Sequence, residues 1–340
     1  MTTRIKDVAK LAGVSNATVS RVLSDKPHVR PELKAKVLAA AKELAYEPNR
    51  VARSLRAKRS SIIGLVISDI QNSFFNTVVR AIEDTAYMHG YAVFLCNTDE
   101  DPDKETFYLN LLKAENVAGI ILTPTRESSE TCSAIAQAGT PVVTIDRKLA
   151  DSGLDSVLTD NKQTSKALVN YLIHQGFKRI GAVISNLAIT TGKERYGGYK
   201  EALADNNLTL DKTLIRIGQP IKEDGYLLAK DLLSLPKPPD ALFVGTKLMT
   251  LGALRAITQQ GLMIPNDVGL AAFDELDWMP YSPPLAYGKQ PTYQLGQEAA
   301  RLVLERIKEP DKVTEHLVLN SELVLPKTTA SSYQKEVVSV

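Results

Sequence analysis

The sequence predicts an α/β chain in two unlike parts. A small all-α unit comes first, followed by a two-lobed domain of parallel sheets covered by helices. Three observations carry this expectation. The first sixty residues show helical apolar spacing and hold fourteen Lys and Arg against five Asp and Glu. From residue 61 short apolar runs alternate with amphipathic stretches, the rhythm of βαβ units. That rhythm lasts for about 265 residues, and one core stops growing near roughly 250–300 residues, so two lobes with a cleft between them are expected.

Composition sets the bounds. The hydrophobic fraction is 44% and the charged fraction 24%, ordinary for a globular protein. No apolar run approaches the roughly 20 residues of a membrane span, and no signal-peptide core is present, so a cytoplasmic location without membrane partners is expected. Cys96 and Cys132 lack metal-ligand spacing and read as reduced core thiols. The net charge of +2 conceals an excess of nine positive charges in the first sixty residues and of seven negative charges beyond. A basic head on an acidic body fits a nucleic-acid-binding module, or simply a solvated charged face. The order of the residues separates the two.

In the head, Thr3 is placed to cap a helix with Ile5, Val8, Ala9 and Ala12 on one face. Gly13 ends it, Ser15 caps the next, and Val19, Val22 and Leu23 form a second apolar face. Two short helices joined by "AGVS" make a helix-turn-helix. A third helix after Pro31 contributes Leu33, Val37, Leu38, Ala41, Leu44 and Ala45 to a small core. In this geometry the second helix enters the DNA major groove. Asn16, Ala17 and Arg21 then face base edges, while Ser15, Thr18 and Ser20 suit phosphates. The segment Asn49 to Arg56 is too short to be a stable helix alone, and basic residues crowd around Leu55. Leu55 fits either a minor-groove wedge in a segment that folds on DNA or a core residue of the next domain. Thr3, Asn49, Arg53, Ser54 and Leu55 complete the expected DNA-contacting set.

In the body, "SIIGLVIS" reads as a buried strand, followed by a helix from Phe74 to His89 stopped by Gly90. "YAVFLC", a helix around Glu105 to Ala114, "AGIIL", a helix near Cys132 and "PVVTID" continue the pattern. It resumes with "SVLTDN", a helix to His174, "RIGAVIS", a helix from Arg195, and strands "LIRI", "ALFVG" and "VGLAAF". Open parallel sheets bind ligands beyond the carboxyl ends of their strands. The residues there include Ser68, Asp69, Phe74, Phe75, Asn97, Thr123, Asp146, Arg147, Thr191, Arg195, Thr246, Lys247, Asp274 and Trp278. Aromatic faces among carboxylates, amides and hydroxyls suit a polyhydroxylated small molecule.

Catalysis finds no support. No dinucleotide fingerprint, Walker loop, nucleophile elbow or zinc motif is present, so neither an enzyme nor a cofactor is expected. His28, His89, His174 and His316 show no ligand spacing. Asp99, Glu100, Asp101 and Asp103 read as a solvated acidic turn rather than a metal site.

The stretch "IKDVAKLAGVSNATVSRVLSDKPHVRPELKAKVLAAAKELAYEPNRVARSL" resembles the N-terminus of the lactose/galactose repressor family. The body resembles that family's effector domain, itself similar to periplasmic sugar-binding proteins, through "IGLVISDIQNSFF", "IDR", "TDN", "RYGGY", "PNDVGLAAFDELDW" and "QPTYQLGQEAARLVLERI". The resemblance implies a helix-turn-helix DNA-binding domain over 1–48, a hinge helix and linker over 49–59, and an effector-binding and dimerisation domain over 60–330. Within it the N-lobe takes about 60–160 and 291–320, and the C-lobe about 161–290 and 321–330. It further implies a homodimeric repressor on a palindromic operator, with Leu55 prying open the central base step. Phe74 and Phe75 would line the pocket floor, Arg195 grip the ligand and Asp274 accept from its hydroxyls, with Thr191 where the purine repressor uses a threonine. A catabolite-control regulator answering to a phosphorylated protein is the alternative within the family.

Two departures bear on the effector. Many relatives carry "ND" where this sequence has Thr246-Lys247, and with Arg195 and Arg147 this points to an anionic effector such as a sugar acid. Lys247 capping or pairing at the surface is the other reading. Pro220 stands near the position where the purine repressor stacks an aromatic, which argues against a purine. Trp278 fits either stacking on the ligand or packing between lobes.

Overall fold

The structure is a computed structural model that describes residues 4–23, 29–46, 60–276 and 285–326. It divides into two compact units, residues 1–60 and 61–340.

The first unit contains α1 (Ile5–Ala12), α2 (Asn16–Leu23) and α3 (Pro31–Glu43). Arg4, not Thr3, is the N-cap of α1, because the Arg4 N–H donates to the Asp7 carboxylate at 2.9 Å. Thr3 itself lies outside the described residues. Gly13 closes α1 at φ +66°, a left-handed conformation that glycine adopts without steric cost. The Ser15 hydroxyl accepts from the Thr18 N–H at 3.2 Å, capping α2 as its sequence position suggests. The core comprises Val8, Ala9, Val19, Val22, Val37, Ala40 and Ala41. Leu38 is 48% exposed and Ala45 is exposed at φ +45°. The helical repeat turns Ala40 inward where Leu38 was expected.

The second unit begins with β1 (Ile62–Ile67), α4 (Ser73–Met88), β2 (Ala92–Asn97), α5 (Pro102–Ala114), β3 (Gly119–Leu122), α6 (Glu130–Gln137), β4 (Val142–Ile145) and β5 (Asp155–Thr159). It continues with α7 (Asn161–His174), β6 (Ile180–Ser185), α8 (Thr190–Asp205), β7 (Ile215–Gly218), α9 (Lys222–Leu233), β8 (Ala241–Val244) and α10 (Lys247–Gln259). Strands β9 (Gly269–Phe273) and β10 (Ala286–Lys289), helix α11 (Thr292–Lys308), and strands β11 (His316–Leu319) and β12 (Glu322–Val324) complete it. Helix α5 starts a turn earlier than its apolar pattern shows, because Asp101 accepts from the Asp103 and Lys104 N–H groups ahead of Pro102. Helix α8 starts at Thr190, so Thr191 and Arg195 share its first two turns.

Two six-stranded sheets run β11-β5-β4-β3-β1-β2 and β12-β10-β9-β8-β6-β7. Every pairing is parallel except β10 with β12. Each sheet repeats one strand order, with the first strand of the lobe between the second and third. That reversal is the switch point where such sheets place ligands. The described chain passes between the sheets three times, after β5, after β10 and after β11. The Thr159 hydroxyl donates to the Gln290 side-chain oxygen Oε1 at 2.8 Å, and the Ser321 N–H and hydroxyl both donate to Asp160 Oδ1. Side chains thus tie the three crossovers to one another. Three connections bound at one place form a hinge that lets two lobes close without unfolding either.

One close approach positions the C-lobe wall. A Cβ on Gly198 would stand 2.2 Å from the Lys162 carbonyl oxygen, so only glycine lets α8 lie so near α7. That approach brings Arg195 of α8 against Asn161 of α7.

Candidate functional site

The surface of the first unit expected to face DNA is simple. Asn16, Ala17 and Arg21 are exposed on α2, on the side away from Val19 and Val22. Ser15 is exposed, and Thr18 and Ser20 are half-buried. The Ser15 and Thr18 hydroxyls lie 2.9 Å apart. Asn49, Arg53, Ser54, Leu55 and Trp278 lie outside the described residues, as does His28.

Two cavities open on the carboxyl ends of the strands. One, of about 590 Å³, is lined by Asp69, Gln71, Asp99, Glu100 and Asp101 from one lobe, and by Gln219, Pro220, Ile221, Lys222 and Leu248 from the other. The second, of about 370 Å³, brings Phe74 and Thr77 to Lys247, Asp274, Lys289 and Gln290. Asp69, Phe74, Lys247 and Asp274 are therefore cavity residues, as their places after strands suggested.

Phe75 departs from that expectation. It is 2% exposed and meets Phe74 edge-on at 4.9 Å between ring centres, as part of the core. Asn97 is spent on the loop, accepting from the Ile70 N–H and donating to Asp99. Thr123 is fully buried, and its hydroxyl finds no hydrogen-bond partner among the described residues. Thr191 is buried in the first turn of α8. The Thr246 hydroxyl caps α10, accepting from the Met249 N–H at 3.3 Å. Lys247 is 7% exposed, so the surface reading of this lysine does not hold.

Charge in the cleft is buried and already engaged. Arg195 donates to Asn161 Oδ1 at 2.8 Å and to the Gly245 carbonyl at 2.7 Å, with its guanidinium 3.7 Å from the centre of the Phe273 ring. Burial holds its pKa below the usual arginine value, although Asp274 and Asp146 pull the other way. Asp146 and Asp274 occupy equivalent positions, each just after the fourth strand of its sheet, at φ +66° and +72°. Left-handed backbone at a non-glycine residue costs on the order of 1–3 kcal/mol and clusters at functional sites. Burial raises both carboxyls above the usual aspartate range, against the nearby arginines.

Arg147 overturns its expected part. Its Nη1 and Nη2 donate to both carboxylate oxygens of Glu100, each at 2.6 Å, and Nη1 also donates to the Pro124 carbonyl at 3.1 Å. Asp146 stands 3.5 Å from its Nε. A fork filled in this way is not presented to an anionic ligand. The acidic turn is solvated at Asp99 and Asp103, which are exposed, and partly withdrawn from water at Glu100 and Asp101. Glu100 holds Arg147, Asp101 caps α5, and Asp99 pairs with Lys104 and Asn97. Among the described residues no cluster of His, Cys, Asp or Glu is arranged to hold a metal ion, and no helix is long and apolar enough to cross a membrane. Cys96 and Cys132 are buried free thiols, and burial pushes Cys132 up to about 12.

Three residues that the strand-end reading missed connect the site. Gln290 donates to Asp274 Oδ1 at 2.7 Å while accepting from Thr159, which joins the cavity to the crossovers. Asn161 fixes Arg195. Glu100 fixes Arg147. Asn161 and Gln290 sit at crossovers and Glu100 in a left-handed turn, so apolar periodicity gives no sign of them.

Residues 60–328 match the family described as periplasmic binding proteins and sugar binding domain of the LacI family, and residues 4–49 match bacterial regulatory proteins, lacI family. The chain is 34% identical over 326 residues to the HTH-type transcriptional repressor PurR of Mannheimia succiniciproducens, covering 95% of this chain and 98% of that protein. It is 35% identical over 322 residues to the probable HTH-type transcriptional regulator EndR of Paenibacillus polymyxa, covering 93% and 94%. Among solved structures, it is similar to the lac repressor dimer bound to operator and the anti-inducer ONPF, with a TM-score of 0.84, 27% identity, and 97% and 99% coverage. Matched over both units, the chain belongs to the LacI family of bacterial transcriptional repressors, DNA-binding dimers governed by small-molecule effectors.

Proposed function

We propose that this repressor reads an operator half-site through Asn16, Ala17 and Arg21 of α2, and that a polyhydroxylated, sugar-sized effector in the interlobe cleft sets its operator affinity, without catalytic turnover. Asp69, Phe74, Asp274 and Arg195 hold the effector in this reading. The observation that carries it is the link from Asp274 through Gln290 to Thr159. A ligand bonded to Asp274 acts on a side chain that also ties two crossovers, so it prefers one degree of lobe closure over another. The shift is bounded by the ligand's differential affinity for the two states.

The dimer face in this reading follows the open edge strand β2 and the helices beside it. Tyr87, Met88, Phe94, Phe107 and Leu111 are all at least 44% exposed there. A second copy covering this face matches two recognition helices to a palindrome.

Selection of duplexes from a random library by the full-length protein tests the DNA part and is expected to return a palindrome. A motif without two-fold symmetry contradicts the dimeric reading. A thermal-shift screen of sugars and sugar acids then finds ligands, because binding raises stability by mass action. A ligand that stabilises the protein but leaves operator affinity unchanged contradicts the switch.

A further inference from the structure

We infer that Glu100 sets the charge class of the effector: by filling the Arg147 fork it makes the cleft selective for an uncharged ligand over a sugar acid or sugar phosphate. This rests on the effector reading above and sharpens it.

The geometry leaves an anion no open cationic fork at this end of the cleft. Both carboxylate oxygens of Glu100 meet Arg147 at 2.6 Å, and the Pro124 carbonyl takes a third contact. An incoming carboxylate or phosphate has to displace a carboxylate of the same geometry. It gains nothing in exchange and strips Glu100, a half-buried carboxylate, of the arginine that compensates its charge.

Nor is Glu100 able to swing aside cheaply. Asp99 and Glu100 both have positive φ, at +52° and +60°. The Glu100 N–H donates to the Ser68 carbonyl at 3.0 Å, anchoring the turn to the end of β1. One residue on, Asp101 is committed to capping α5. The turn is therefore held on both sides of Glu100.

The surrounding charges agree. The larger cavity presents Asp69, Asp99, Glu100 and Asp101 against Lys222. In the smaller one, Lys289 pairs with Glu275 at 3.1 Å, and Lys247 lies in the same lining as Asp274. Arg195 bonds to neutral acceptors and feels Asp274 and Asp146. Hydroxyl groups can use cavity-lining carboxylates such as Asp69 as acceptors, whereas a ligand anion meets them as like charges.

Calorimetric titration with inorganic phosphate at constant ionic strength tests the role of Glu100. The proteins are the wild type, Glu100→Gln, Arg147→Gln and the double variant, all full length. The expected result is no saturable heat for the wild type, a gain of at least about tenfold in phosphate affinity for Glu100→Gln, and loss of that gain in the double variant. A folded Glu100→Gln that binds phosphate no better than the wild type overturns the inference. Should that variant fail to fold by circular dichroism, the wild type and Arg147→Gln decide the matter. Phosphate binding by the wild type that Arg147→Gln abolishes overturns the inference, and its absence supports it. An effector found to be a sugar acid or sugar phosphate sinks the Glu100 role and leaves the ligand-controlled repressor standing. If no ligand changes operator binding, the effector-switch reading fails while the phosphate titrations still judge Glu100.

Discussion

Arg21 on α2 is exposed, whereas Arg147 and Arg195 beside the cleft are only 5% and 4% exposed and already bonded within the protein. In the proposed reading the two units use the same side chain under opposite conditions. A DNA-reading surface must present guanidinium groups to water, since counterion release and base-edge contacts need them accessible. A ligand cleft between lobes has a low dielectric, so an uncompensated cation there is costly and is neutralised beforehand. The two buried arginines show two ways of doing so. Burial opposes the charge at both, but at Arg147 the Glu100 carboxylate more than offsets it and the pKa rises. At Arg195 the partners are an amide, a carbonyl and a ring, burial wins, and the pKa falls.

The largest expected effect comes from breaking the Arg147–Glu100 pair on one side only. Arg147→Ala should destabilise the second unit by about 3–5 kcal/mol, and removing both partners should cost markedly less than the sum of the single changes. Urea unfolding of the two single variants and the double gives the coupling, and additive effects would mean that the pair carries no interaction.

Acid titration sharpens the same contrast. Burial alone would raise Glu100, but Arg147 holds it below the usual glutamate range. Its contribution is therefore present above the unfolded-state value and lost as pH falls through the lower folded value. The stability gap between wild type and Glu100→Gln should be constant near neutrality and shrink in acid. Asp146 and Asp274, raised by burial, act in the opposite sense, because ionising them in the folded state costs stability as pH rises above the usual aspartate range. A gap that widens in acid would reverse the assignment.

In the first unit the expected effects are smaller and appear in DNA binding. Arg21→Ala should cost about 1–3 kcal/mol of operator affinity and relax specificity at one base pair. An equal loss on every sequence would make Arg21 a phosphate contact instead. Smaller still, Ser15→Ala should lower the stability of the unit by about 1 kcal/mol through loss of the α2 cap, measured by thermal unfolding.

Much of this was legible in the sequence where one physical signal dominates. The apolar period located α1, α2 and β1 to β4, and glycine marked the end of α1. Strands β10 to β12 were not anticipated, because they are three or four residues long and β11 and β12 are only partly buried. At the candidate site, position after a strand singled out Asp69, Phe74, Lys247 and Asp274. Position cannot tell a ligand contact from an internal one. Arg147, Asn97 and Thr246 share the same local pattern and are consumed by Glu100, the β2–α5 turn and a helix cap. Their partners lie in other loops or are backbone groups, so only the folded chain shows which side chains are occupied.

The central claim is that one ligand in the cleft controls operator affinity. Its most direct test is fluorescence anisotropy of the selected operator, with and without the stabilising ligand, for the wild type and Arg195→Ala. The wild-type operator Kd should change about fivefold or more when ligand is added. The variant should bind operator as the wild type does without ligand, and show no change with it. A variant that responds as the wild type does would place the controlling site elsewhere.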